Sequence, residues 1–223
     1  DGCPFGWVGI EVEIGTRRTS IRYFKDFASL LSQSSSVNLI AIDIPIGLLE
    51  KGARACDQAA RRLLGRPRAS SVFPAPARAV LAAQNYPEAC RLSLQAIGKK
   101  ISIQTWHILE KVCEVDSVIS SEHQDRIFEV HPEICFWALN RQQPMKHKKS
   151  SSAGRAERLH LLRSLYPDID GLLAQLDRKK AAPDDLLDAA AAAWTAERIS
   201  TGSARSVSPP EKDSRGLRAE ITY

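Results

Sequence analysis

The stretch Leu39-Ile40-Ala41-Ile42-Asp43-Ile44-Pro45-Ile46-Gly47 decides how the chain is read. It is a short, Ile-rich apolar run between a Ser-rich segment and Lys51-Gly52, and its length and composition suit a strand buried on both faces. Asp43 interrupts it. An ionised carboxylate inside such a strand costs several kcal/mol unless a partner compensates (about 3–5 when the partner is missing). Pro45 has no N–H to give to a ladder, so regular pairing is expected to fail just after Asp43. The carboxylate then emerges at the carboxyl end of a strand, where open α/β sheets place their ligands. A plain salt bridge to one of the many arginines would also account for Asp43.

Upstream of this run, residues 7–14 alternate well enough for a strand, Gly15-Thr16-Arg17-Arg18 turns the chain, and residues 19–24 return as its antiparallel partner. Asp26 caps a helical pattern over residues 26–33. A hairpin, a helix and the 39–47 strand, expected parallel to the first, make an α/β opening. Residues 50–122 show helical spacing without strands and predict a helical insertion able to act as a lid. The pattern gives helices over 56–64, closed by Gly65, from about Tyr86, and over 102–118. Between the first two lies a Pro/Arg/Ser loop, residues 66–78, of the kind more often functional than structural. Residues 126–130 predict the next strand, again carrying an acid, Glu129, and stopped by Pro132. Helices follow over 134–139, 154–166 and 170–176, with a polar, basic loop over 140–153. The last helix opens at Pro183 and runs to Ile199, and residues 217–223 predict a terminal strand.

Asp184 and Asp185 sit beside Pro183 in the first turn of that last helix, where acids complement the helix dipole. Asp188 lies one turn on, among Leu and Ala, and the small residues beyond it would let the helix approach a sheet closely.

Thirty-one Lys and Arg against 26 Asp and Glu give a net charge of +5, unevenly spread. Residues 51–68 hold six basic residues against Asp57, and residues 141–163 hold seven against Glu157. The remainder is net acidic. Two basic segments on an acidic background suggest surfaces for a phosphate-bearing partner, with nucleic acid the expected one. Arg66, Arg68, Ser71, Lys148, Lys149 and Arg155 are the candidate phosphate contacts, and solvated charged faces are the simpler alternative. At 223 residues, 43% hydrophobic and 26% charged, the chain is expected to form a single globular domain. No apolar run is long enough to cross a membrane, and no signal peptide is visible. Five scattered cysteines without ligand spacing suggest reduced thiols in the cytoplasm and no zinc site. The chain begins at Asp1 rather than Met, so upstream sequence is expected; a strand there would place Asp1 at its end.

Collected, candidate acids fall at strand and helix ends: Asp1, Asp43, Glu129 and the Asp184, Asp185, Asp188 cluster. Oxygen donors of this kind favour Mg²⁺ or Mn²⁺, and paired divalent ions can activate water and stabilise a leaving oxygen in phosphodiester cleavage. His131, two residues past Glu129, could relay a proton or simply be structural. Walker, GxGxxG and GxSxG motifs are absent.

The residues also carry a resemblance. Asp1-Gly2-Cys3 with Gly6-Trp7-Val8, residues 42–47, Cys56-Asp57 with Ala60-Arg61, Ser71-Val72-Phe73-Pro74-Ala75-Pro76, Glu129-Val130-His131-Pro132-Glu133, Gly154 with Arg155-Glu157-Arg158, and Asp184-Asp185-Leu186-Leu187-Asp188-Ala189 resemble, in order, the domain of unknown function 429 family. Phe5 departs from a Gly common in that family's first turn. The resemblance implies a ribonuclease-H-like fold, a mixed sheet with an antiparallel hairpin first and parallel strands after. It also implies predicted nuclease activity, with metal-binding carboxylates on Asp1, Asp43 and Asp185 or Asp188, and Glu129 as an extra candidate. A non-catalytic nucleic-acid-binding protein of the same fold and a small-metabolite phosphoryl transferase are the alternatives.

Overall fold

The computed structural model describes residues 1–223. It opens with a three-stranded antiparallel sheet: β1 (Gly2–Cys3), β2 (Gly6–Glu13) and β3 (Arg18–Phe24), in spatial order β1-β2-β3. The hairpin register pairs Trp7 with Phe24 and Glu13 with Arg18. Helix α1 (Phe27–Gln33) starts at Asp26, whose carboxylate accepts the Ser29 N–H at 2.7 Å in a capping box. Strand β4 (Ile40–Ile42) is shorter than the apolar run that contains it. The chain leaves the ladder at Asp43, and its parallel partner is the later strand β5 (Ile127–Glu129), with Ile42 opposite Glu129, rather than a strand of the opening sheet.

Helices fill the interval between β4 and β5. α2 (Ala55–Arg68) kinks at Gly65, whose φ of +55° only glycine adopts readily, so the chain turns there and still completes a further turn through Arg68. α3 (Tyr86–Ile97) is capped by Asn85 and ends on left-handed Gly98. The expected long helix over 102–118 is two, α4 (Ile103–His107) and α5 (Leu109–Val118), broken at Ile108. After β5 come α6 (Pro132–Leu139), α7 (Ser152–Arg163), α8 (Ile169–Gln175) and the 18-residue α9 (Pro183–Ser200). No helix is long and apolar enough to cross a membrane.

Alternation along β2 divides the core. Val8 faces a cluster with Phe136, Leu162, Tyr166, Leu186, Ala190 and Ala191, which packs α6–α9 on one side of the strands. Trp7 faces the opposite cluster, with Phe27, Ile42, Ile46, Val112, Val115 and Ile127, which packs α1 and α5 on the other. Mixed antiparallel and parallel strands are thus covered by helices on both faces. The small residues of α9 let it lie against β2 and β4, with Ala190 and Ala191 wholly buried.

The last residues do more than add one strand. β6 (Glu211–Lys212) and β7 (Arg218–Ala219) form a two-stranded ribbon, and Thr222 bridges both Val130 and Ser206. The Thr222 N–H donates to the Glu129 carbonyl at 2.9 Å. Gly47, at φ +74°, passes so close that a Cβ there would lie 2.6 Å from the Ala219 nitrogen. Between Gly47 and β7, the Asp213 carboxylate accepts N–H groups from Leu48, Arg215 and Leu217.

Candidate functional site

The β4 and β5 ends open into a cleft of about 990 Å³. Asp43 to Pro45 and Glu129 to Glu133 form its floor, the turn Asp1–Gly6 and Asp185 and Asp188 of α9 border it, and Pro67–Phe73, His107–Lys111 and Lys148–Ser150 supply walls. Acids that lie far apart along the chain therefore share one cavity. So do two parts of the basic segments, through Arg68, Ser71, Lys148 and Lys149. Arg66 and Arg155 are not among the lining residues.

Asp43 enters the cleft because Pro45 and Gly47 bend the chain out of the ladder beyond Ile42. Its carboxylate accepts no hydrogen bond. Burial pushes its pKa above the usual carboxylate range and the Asp188 carboxylate adds to that, while His131 and Lys149 work the other way. Asp188 is carried inward by the apolar face of α9, and its side chain is 2% exposed. The Lys149 ammonium meets it at 2.6 Å. Burial opposes that ammonium's charge, but Asp188, Asp43 and Asp184 hold it protonated, with its pKa raised. The Lys149 stem remains 45% exposed, so the contact is a charged tip reaching in from a loop. Asp185 has a different local task, accepting the Ala182 N–H at 2.8 Å at the start of α9. Burial raises its pKa, with Asp184 adding to the effect. The Asp1 N–H donates to the Val8 carbonyl, which sets the Asp1 backbone beside Asp43, Asp185 and Asp188.

Glu129 borders the same cavity but is spoken for. Arg54 grips both its oxygens at 2.7 and 2.8 Å, and the Ile46 N–H donates to it at 2.7 Å. Arg54 also holds Asp57 and the Ile46 carbonyl. Burial pushes Glu129 up to about 7, while Arg54 and the Ile46 N–H, three donors around two oxygens, favour the carboxylate. Burial likewise works against Arg54, and Asp57 and Glu129 outweigh it. Asp57 in turn accepts the Ala75 N–H at 2.9 Å, tying the Pro/Arg/Ser loop to the strand end. Sequence reasoning missed this clamp. The available signal was Arg54 and Asp57 spaced three apart at a helix start, but its main partner is Glu129 on a distant strand.

Three buried polar atoms bordering the cleft have no partner: Arg68 Nε, His131 Nδ1 and Glu133 Oε2. Cys135 lies behind the acids, where burial pushes its thiol up to about 12 and Thr195 hydrogen-bonds it, so it is not a nucleophile.

No group of three His, Cys, Asp or Glu side chains stands arranged to hold a metal ion. Mg²⁺ needs less, since it keeps several waters and is commonly held by one or two carboxylates plus substrate phosphate. The unpartnered Asp43 beside buried Asp188, with His131 and a loop lysine offsetting their repulsion, is a donor set that fits a hard divalent cation in kind.

Searches against curated proteins and against solved structures each found no match. A family model matches residues 1–213, a span holding every acid named above and both basic walls of the cleft, and the chain therefore belongs to the family described as "Protein of unknown function (DUF429)".

Proposed function

We propose that the cleft hydrolyses phosphodiester bonds of nucleic acid with the help of Mg²⁺ or Mn²⁺, on a ribonuclease-H-like arrangement of strands. One observation carries this reading. Asp1, Asp43, Asp185 and Asp188, from the first turn, the β4 end and the last long helix, border one cavity that Arg68, Lys148 and Lys149 also line.

Asp43 and Asp188 would hold the cation, with Asp1 and Asp185 at the same rim. A divalent ion bound there supplies a nucleophilic water at neutral pH and charge stabilisation for the leaving oxygen. The protein's own part is positional and electrostatic. Lys148, Ser71 and Arg68 offer donors to phosphate oxygens. Lys149 keeps its proton and offsets the charge of Asp188 until a cation takes over. The unpartnered His131 Nδ1 is available to hold a proton beside Asp43.

Purified protein is incubated with single-stranded and structured DNA and RNA, with EDTA or Mn²⁺. We expect Mn²⁺-dependent cleavage and a Mn²⁺-induced rise in Tm, both lost in Asp43→Asn, with cleavage falling by at least about 10²-fold. No cleavage together with an unchanged Tm would sink the proposal. Salt-sensitive binding without cleavage would instead identify a non-catalytic nucleic-acid-binding protein.

A further inference from the structure

Arg68 stands apart from the other buried arginines of this region. Arg54 grips two carboxylates and a carbonyl, and Arg158 meets Glu133 and the carbonyls of His147 and Gly154. Arg68, only 8% exposed, has no carboxylate partner. Its Nε has no acceptor, as is true of Arg158, but where Arg158 has a carboxylate, the single contact of Arg68 is a 3.4 Å approach of Nη2 to the Lys146 carbonyl. A guanidinium cannot shed its proton to escape burial. Burying it without an anion is unfavourable, and no negative charge matches it here.

The surroundings suit an oxyanion. Ser70 and Ser71 follow Arg68 on a short 3₁₀ turn, and all three line the cleft together with Lys148 of the other basic segment. Both supporting loops are pinned. Arg61 donates to the Val72 carbonyl at 2.5 Å, and the Glu157 carboxylate accepts the N–H groups of Lys146 and His147 at 2.8 and 3.1 Å.

We infer that Arg68, with Ser70, Ser71 and Lys148, forms a preorganised seat for a phosphoryl group, distinct from the Asp43 and Asp188 carboxylates. The planar fork of Arg68 presents parallel N–H donors to two oxygens of a tetrahedral anion, hydroxyls and an ammonium complete the set, and no metal is required. The proposed nuclease reading supplies the identity of the phosphate's owner, a nucleotide or a single strand. A cavity of about 990 Å³ is of small-ligand size and too small to take in a duplex.

The test is run in EDTA with inorganic phosphate, following Tm and the Arg Nε–H signals by NMR. Phosphate raises Tm in wild type and in Asp43→Asn, while Arg68→Gln weakens binding by about tenfold or more. One new Nε–H signal sharpens on titration, and it is the one missing from Arg68→Lys. If Arg68→Gln fails to fold, the wild-type NMR titration decides alone. Equal phosphate effects in wild type and Arg68→Gln, or an undisturbed Nε–H spectrum, would overturn the seat. A nucleoside 5′-monophosphate, a phosphate-free nucleoside and a single-stranded oligonucleotide complete the series. Tighter binding of the oligonucleotide assigns the seat to an internal phosphodiester, equal affinity with the monophosphate assigns it to a terminal phosphate, and equal binding of the bare nucleoside refutes it. Phosphate binding without cleavage of any substrate leaves the seat standing and removes the nuclease. Cleavage without phosphate binding does the reverse.

Discussion

Two parallel strands end side by side, one in a carboxylate and the other just before one, with opposite fates. Glu129 on β5 faces Ile42 on β4, and Asp43 is the next residue along. Glu129 is 6% exposed and held by three N–H donors, whereas Asp43 is half-buried and accepts nothing. Where burial comes with a matched partner the acid is part of the framework. Where it comes without one, the protein tolerates a cost that a ligand can relieve. A carboxylate followed by proline at a strand end, common to both, does not separate the two cases.

The largest effect is expected from Arg54→Met. It leaves Glu129 and Asp57 buried without their cation and should destabilise the fold by about 3–5 kcal/mol in urea denaturation, with the loss shrinking in a Glu129→Gln background. A loss under about 1 kcal/mol would mean that the clamp is not framework after all.

Lys149→Ala acts on the other side. Asp188 would lose its only ion-pair partner, and because the lysine is half in solvent the cost should be about 1 kcal/mol. The same variant should bind Mn²⁺ more tightly, read as a larger Tm rise, because the competing ammonium is gone. Weaker Mn²⁺ binding would make Lys149 a helper rather than a stand-in for the cation.

Asp43→Asn should have the smallest effect on stability and the opposite sign. The folded Asp43 carboxyl titrates above the ordinary 3.8, so the folded protein holds that proton more tightly than the unfolded chain does. The resulting stabilisation is fully present below pH 3.8 and is lost as pH rises through the raised value. At neutral pH without metal, Asn should therefore stabilise the protein by about 0.5–1 kcal/mol, an advantage that fades in acid. Destabilisation at pH 7 would show that Asp43 has a partner of its own.

Much of the architecture was legible because it is local. Alternation marks the hairpin, Asp26 caps its helix, Pro132 and Pro183 start theirs, and the absence of a strand pattern marks the long helical interval. The acids at Asp43 and Asp188 were legible because charges inside apolar runs demand a reason. What escaped was settled across space. The short length of β4 depends on where β5 ends, the break at Ile108 on how two short helices pack, and the fate of Glu129 on an arginine from another element. Arg66 and Arg68 are two residues apart in a basic run, yet Arg66 is exposed and Arg68 buried, since the chain turns at Gly65.

Thr222 closes the strand layer beside Glu129, and Ile221 borders the cleft. A nascent chain released N-terminus first can pack its hairpin and even join β4 to β5 while this edge is still bare. The strand layer gains this edge, and the cleft its Ile221 side chain, only when residue 222 has cleared the ribosome, so shortened translation products would carry the acids but not the finished chamber.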